Sequence, residues 1–207
     1  MKLIVIEGLD GSGKSTQWEM LQQSLPDAAF ITFPDYDSHS GKIIKQYLNG
    51  EFDRDNAYSA SCFYAMDRYI YCQSSKLDGL TISARYTSSN AIYQMSKLAE
   101  NEWETYLDWL YDLEFNKLMI PKPDLTVFLD VPIEISQKLL DKRYSDSGSK
   151  DIHEGDLAFL RGCKKAADFV SARDGWKRID CVCDGHLRSP EDIHNELVNI
   201  IRKVSHD

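Results

Sequence analysis

Eight residues near the N-terminus, Gly8-Leu9-Asp10-Gly11-Ser12-Gly13-Lys14-Ser15, constrain this chain more than any other stretch. They satisfy the pattern G-x-x-x-x-G-K-S/T and follow directly on the apolar run Leu3-Ile4-Val5-Ile6. A buried strand that feeds a glycine loop and then a helix gathers backbone N–H groups at a helix N-terminus, and such a nest suits a polyphosphate. Gly8, Gly11 and Gly13 let the backbone turn and come close to phosphate oxygens. In that setting Lys14 reaches the β- and γ-phosphates of a bound nucleotide as a point charge and Ser15 offers its hydroxyl to Mg2+. Leu9, Asp10, Ser12 and Thr16 complete the loop and the first helical turn around the nucleotide.

The rest of the chain alternates apolar runs with helical patterns. Strands are expected at 2–7, 29–33, 80–84, 125–130 and 177–181, and helices at 14–25, 40–49, 56–77, 88–99, 102–119, 132–142, 154–173 and 190–204. The alternation predicts a P-loop NTPase fold of three α/β/α layers, with a five-stranded parallel sheet and a small helical lid. Gly50 and Asp78-Gly79 close helical patterns, and Ser189-Pro190-Glu191 opens the last one with a cap and a proline in the first turn. No repeat or linker interrupts residues 1–207, so one domain is expected. The segment Lys142-Arg143-Tyr144-Ser145-Asp146-Ser147-Gly148-Ser149-Lys150 reads as a mobile lid, about 142–153, that brings cations onto the transferred phosphate.

The net charge of −9 argues against broad contact with nucleic acid or an anionic membrane, which need a basic footprint. A small phosphorylated ligand needs only a local cluster of cations. There is no signal-peptide pattern, and no apolar stretch approaches membrane-spanning length. The five cysteines include no C-x-x-C pair, which reads as reduced thiols in a cytoplasmic protein.

A P-loop alone does not separate ATPases, GTPases and small-molecule kinases. No Asn-Lys-x-Asp segment for reading guanine is present. Tyr64 and Arg68 lie four apart on a helical pattern and share a face, an aromatic plane beside a guanidinium. The same pair also fits a helix packed on the core. Arg85, Tyr86 and the polar run Thr87-Ser88-Ser89-Asn90 follow the strand 80–84, and Phe33-Pro34 ends another strand. Ligands of open parallel sheets bind at the carboxyl ends of strands, so these groups converge on the edge that carries the P-loop.

With those residues in view, the sequence resembles the thymidylate kinases, a family of P-loop nucleoside monophosphate kinases. The resemblance runs through Ile6-Glu7-Gly8 to Thr16-Gln17, Phe33-Pro34, Phe63-Tyr64-Ala65-Met66-Asp67-Arg68, Arg85-Tyr86 with Ser89 and Tyr93-Gln94, Pro123-Asp124 to Val131-Pro132, Asp151-Ile152-His153-Glu154 and Trp176-Lys177-Arg178-Ile179. It implies ATP-dependent phosphorylation of dTMP to dTDP with Mg2+. It further implies that Tyr64 stacks on thymine and that Arg68 contacts the acceptor phosphate and base edge. Arg85 would bridge both phosphates, Ser89 and Gln94 would line the pyrimidine pocket, Tyr93 would crowd the deoxyribose and Phe33 would wall the base. Asp10 would orient the sugar or an acceptor-side cation, and Arg143 would act from the lid near adenine or the γ-phosphate. Catalysis would rest on Lys14, Arg85, Asp10 and Arg143. A homodimer is implied too, and the aromatic and small residues of the 56–77 pattern (Ala60, Phe63, Tyr64, Tyr71) offer a face for it.

Two positions depart from the family pattern. Ala84 stands where an aspartate on the Mg2+ side is expected, and Tyr36 stands where many members carry an arginine for the acceptor phosphate. With Ala84 in place, Mg2+ is expected to be held by Ser15, phosphates and water, helped by Asp10, Glu7 or Glu154. Two other functions fit parts of the pattern. A deoxynucleoside kinase would use Glu7 or Asp10 as a base toward a sugar hydroxyl, and a nucleotide-binding protein with little turnover would follow from the losses at Ala84 and Tyr36.

Overall fold

The computed structural model describes residues 1–75, 77–147 and 157–206, and the side chains of these apart from 142–147 and 206. Five parallel strands form the central sheet in the order β2-β3-β1-β4-β5, with β1 at Lys2–Gly8, β2 at Ala29–Thr32, β3 at Leu80–Ala84, β4 at Leu125–Asp130 and β5 at Lys177–Asp180. β1 is central because both of its faces are apolar. Ile4 and Ile6 look one way, onto α1 (Lys14–Ser24) and α8 (Pro190–His206), where Leu21, Leu197 and Ile201 are fully buried. Leu3 and Val5 look the other way, into a cluster with Ile31, Phe33 and Tyr86 that is covered by Tyr69 and Tyr71 of α3 (Ala57–Ser74). A strand with no polar face must lie between two helical layers, so the continuous run Leu3–Ile6 already dictates three layers. A third cluster joins α4 (Thr87–Tyr93), α5 (Trp103–Tyr111) and α7 (Leu157–Asp174) over Leu9 and Phe128.

Local signals set most element ends. Ser38 caps α2 (His39–Leu48) by accepting from Gly41 N at 2.9 Å, and Asn56 caps α3 by accepting from Ser59 N at 2.9 Å. Ser189 Oγ accepts from Asp192 N, with Pro190 opening α8 as its sequence context predicts.

Several expectations need correction. The helix expected over 88–99 is α only to Tyr93, and Met95–Lys97 tightens into a 3-10 turn. Ser96 Oγ donates to the Tyr93 carbonyl at 3.0 Å, and Lys97 N turns to Gln94 O instead. The helix expected over 102–119 leaves α geometry after Tyr111 and passes into a π-helical turn at Asp112–Lys117. The chain after Asp180 forms an unanticipated hairpin, β6 (Val182–Cys183) with β7 (His186–Leu187), around Asp184 and Gly185, both with positive φ. An Asp-Gly pair is a strong signal for such a turn. Finally, residues 142–147 continue α6 (Ile133–Ser147) rather than forming a loop. The remainder of the expected lid, including Lys150, His153 and Glu154, lies outside the described residues.

The face of α3 offered for a partner also points elsewhere. Ala60 is fully buried, Phe63 packs on Tyr47 and Phe52, and Tyr71 meets Phe33 edge-on at 5.4 Å. The outward stripe is Cys62, Met66 and Ile70. Among the described residues, no helix is long and apolar enough to cross a membrane.

Candidate active site

The P-loop joins β1 to α1 at the carboxyl edge of the sheet. Gly13 caps α1 with φ 82°, and Gly11 has φ 78°. A Cβ on Gly8 would lie 2.4 Å from Ser12 Oγ, and one on Gly11 would lie 2.5 Å from the Ser136 carbonyl of α6. The loop is therefore closed to side chains at both positions. Leu9 turns its side chain into the core, so only its backbone is available to a ligand. Lys14 folds across the loop, its Nζ donating to the carbonyls of Gly8 at 2.6 Å and Leu9 at 2.9 Å. Burial, with the Arg85 guanidinium second, pushes the Lys14 ammonium down to about 8 against the opposing pull of Asp10 and Glu7.

Arg85 is the hinge of the site. It follows β3 with φ 65°, a left-handed conformation that side chains seldom adopt, held by Arg85 N donating to Ile6 O at 3.2 Å. Its Nη2 donates to Asp10 Oδ1 at 2.6 Å, and its guanidinium lies 4.9 Å from the Tyr93 ring centroid. Burial would raise the Asp10 carboxyl, but Arg85 and Lys14 together outweigh it and hold it below the usual carboxylate range. The Tyr93 hydroxyl is buried near this pair without a hydrogen bond of good geometry, and its phenol stays neutral.

Two pockets meet at the P-loop. One is lined by Asp10, Phe33, Tyr36, Tyr64, Arg68, Arg85, Ser89, Tyr93 and Gln94, all nine residues expected on the acceptor side. The other is lined by Gly11, Ser12, Gly13, Ser15 and Thr16 together with Leu139, Leu140, Leu187 and Arg188. Asp10 and Gly11 are neighbours in the chain, so the pockets share the loop as a common wall. Arg143 belongs to α6, the helix that supplies Leu139 and Leu140, and its side chain is outside the described set.

Some placements sharpen what the sequence implied. Arg68 is almost wholly buried and bonded to Glu114, while Tyr64 shares its helix face as expected. Ser89 Oγ and Ser88 Oγ donate to Glu7 Oε1 at 2.7 and 2.8 Å, and the buried Glu7 Oε2 has no partner. Gln94 Oε1 is likewise buried and unpartnered. Tyr36 is half-exposed at the rim, with Lys45 Nζ 5.6 Å from its ring centroid. Asp130, at the end of β4, is taken up by Lys164 and Arg178. It is thus a structural ion-pair partner.

Several lining residues were not singled out by sequence. Lys97 lines the first of these pockets and donates to Tyr47 OH at 2.8 Å and Arg54 O at 2.7 Å. Arg188 is fixed by Asp180 O, Glu196 and Asp192 O beside the second pocket. Neither lies in a recognisable motif. Among the described residues no group of three or more His, Cys, Asp or Glu could hold a metal on its own. Ser15, Asp10 and the unpartnered Glu7 oxygen are nevertheless hard oxygen donors beside the phosphate nest. Such a partial set suits Mg2+, which usually keeps waters and shares substrate phosphates.

Known proteins resemble this chain in sequence and in fold. The family model described as Thymidylate kinase matches residues 6–196. A thymidylate kinase of Caenorhabditis elegans is 33% identical over 209 residues, covering 91% of this chain and 86% of that protein. One from Mycobacterium tuberculosis strain H37Rv is 32% identical over 189 residues, covering 84% and 87%. A probable thymidylate kinase of Pyrobaculum aerophilum is 28% identical over 211 residues, covering 99% and 98%. The solved thymidylate kinase of Candida albicans superposes with a TM-score of 0.77 at 24% identity, covering 100% of this chain and 93% of that one, a likeness of fold.

Proposed function

Since the chain belongs to the thymidylate kinase family, we propose that it transfers the γ-phosphoryl group of ATP to dTMP, giving ADP and dTDP, with the two phosphate chains meeting at Arg85. The observation that carries this reading is the pair of pockets sharing the P-loop, with the Arg85–Asp10 pair on the acceptor side of the divide. ATP binds with its phosphates on the loop amides and Lys14, and its base beside Leu139, Leu140, Leu187 and the fixed plane of Arg188. The acceptor's base lies between Phe33 and Tyr64, its edge faces Arg68 and Asn90, its sugar meets Tyr93 and Asp10, and its phosphate meets Arg85. Ser89 is committed to Glu7, so it shapes the pocket wall, and Gln94 offers a buried acceptor.

No protein base is required. The second ionisation of a phosphate monoester lies near pH 6, so the attacking oxygen is already an anion at neutral pH. The residues align two anions, exclude water and offset the charge gathering between them. Arg68 is paired charge-for-charge with Glu114, so its part is the base edge rather than the phosphate. Ser15 would hold Mg2+, with Asp10 and Glu7 contributing negative charge, and the ion would supply charge neutralisation to the donor phosphates. We read the whole chain as one domain, with the segment about 142–153 as lid and Arg143 and Lys150 as its cations. We further read a cytoplasmic setting, supported by five free cysteines, and a homodimer through the Cys62–Met66–Ile70 stripe. Light scattering at twice the monomer mass would support the dimer, and a monomer at working concentration would refute it.

ADP release measured with each nucleoside monophosphate and with thymidine, with and without Mg2+, tests the activity. The expected result is Mg2+-dependent turnover with dTMP and none with thymidine. Turnover with thymidine would favour a deoxynucleoside kinase, and tight ATP binding with no ADP formed would favour a non-catalytic binder.

The lowered Lys14 ammonium adds a pH signature. In the free protein it is half neutral near pH 8, and a bound triphosphate restores its proton. ATP binding is therefore expected to take up about half a proton at pH 8 and almost none below pH 7. Calorimetry in two buffers of different ionisation enthalpy reads this directly. Absence of uptake between pH 8 and 9 would contradict the placement of Lys14.

A further inference from the structure

Glu114 has no role in any motif of the chain, yet it occupies the centre of the acceptor wall. It is fully buried in the π-helical turn that follows α5, a kind of irregularity often found at functional sites. Its two oxygens receive four donors. Oε2 accepts from Arg68 Nε at 2.7 Å and from Thr87 Oγ1 at 2.7 Å. Oε1 accepts from Arg68 Nη2 at 2.5 Å and, more weakly, from Asn90 Nδ2 at 3.4 Å.

Two consequences follow at the pocket surface. An ionised carboxylate only accepts, so it settles which end of the Asn90 amide faces it. Asn90 Nδ2 is directed to Glu114 and to the Ser61 carbonyl, and among the described residues no donor reaches Asn90 Oδ1. Arg68 places Nε and one N–H of Nη2 on Glu114 and one N–H of Nη1 on Tyr86 O, which leaves one unbonded donor on each Nη. Arg68 and Asn90 both line the acceptor pocket. The wall therefore offers donors from Arg68 beside an acceptor from Asn90.

We propose that Glu114 is a positioning residue that sets the polarity of this base-reading edge. It turns Arg68 outward as donor and Asn90 outward as acceptor. The combination complements an imide edge, with a ring N–H beside a carbonyl, as in thymine and uracil. Cytosine carries the reverse order, an unprotonated ring nitrogen beside an amino group, and meets like against like. The inference rests on the reading that the acceptor base lies against Arg68 and Asn90. It assigns discrimination to a residue that never touches substrate.

Steady-state kinetics of the full chain with dTMP, dUMP and dCMP test it. In Glu114→Gln the new amide can donate as well as accept, which frees Asn90 to turn over. KM for dTMP is expected to rise ~10- to 100-fold with kcat within a few-fold, because buried polar partners become mismatched. The dTMP-to-dCMP ratio of kcat/KM is expected to fall at least about tenfold, and KM for ATP to stay unchanged. In Glu114→Asp the charge remains but the reach shortens. There KM for dTMP is expected to rise about tenfold with the preference over dCMP kept. If Glu114→Gln does not fold, Glu114→Asp decides alone. Parallel losses for dTMP, dCMP and ATP in either variant, or an unchanged dTMP-to-dCMP ratio in Glu114→Gln, would overturn the proposal. A wild-type chain that uses dCMP as readily as dTMP would instead refute the underlying placement of the base.

Discussion

Replacing Lys14 with alanine is expected to lower kcat by about 10²–10³ or more while the protein stays folded. Lys14 carries the fixed positive charge nearest the loop amides, and charge builds there as the γ-phosphoryl group leaves ADP. Its stabilisation is pre-positioned, since Nζ already rests on the Gly8 and Leu9 carbonyls at the rim of the nest. Both hydrogen bonds are only part-buried, so water can replace the ammonium and little stability is expected to be lost. Burial also disfavours the charged ammonium in the free protein, which makes the alanine variant tolerable. ADP release and a thermal melt on the same preparation check both parts. Normal turnover in this variant would remove the P-loop from the mechanism.

Arg85 is expected to matter nearly as much for rate and in a different way for stability. Arg85→Ala removes the group that pairs with Asp10 and lies over Tyr93, and kcat should fall by about 10²–10³. The alanine still has to adopt φ near 65°, which costs a residue with a Cβ about 1–2 kcal/mol. Arg85→Gly should be as inactive but more stable than Arg85→Ala by about 1 kcal/mol, visible as a melting temperature higher by about 2–4 °C. Equal melting temperatures for the two variants would show that the left-handed backbone is not maintained without the guanidinium. The strain at Arg85 is then best understood as part of the site, since it turns the side chain from the end of β3 across to Asp10.

The parts of this molecule legible in its sequence are those whose cause is local. Leu3–Ile6 carries no polar face, so its burial between layers follows from composition. The glycine spacing from Gly8 to Gly13 specifies a loop that admits no Cβ at residues 8 and 11. The cap at Ser189 and the proline at 190 announce α8. Convergence at one sheet edge was also readable, because parallel strands place every strand-end residue on the same side. What stayed hidden depends on distant partners. The pairing Tyr64–Arg68 is visible as helix spacing, but the partner of Arg68 is 46 residues away in a turn that departs from α geometry. One trace of it existed, since Glu114 falls on the apolar stripe of Leu107 and Leu110, where a carboxylate must find a buried cation. Met66 and Ile70 were not recognised as the outward face of α3, because that helix is apolar on nearly every side and periodicity alone does not orient it. Lys97 and Arg188 sit on short irregular segments with no pattern to mark them.

The account depends on two nucleotides bound at once with their phosphates facing across one loop. A compound joining adenosine and thymidine, 5′ to 5′, through five phosphates spans both pockets only if that arrangement holds. In equilibrium competition it is predicted to bind one per chain, to displace labelled ATP and labelled dTMP alike, and to bind at least about 10²-fold more tightly than dTMP alone. Displacement of ATP without dTMP, or ATP and dTMP excluding one another, would contradict it.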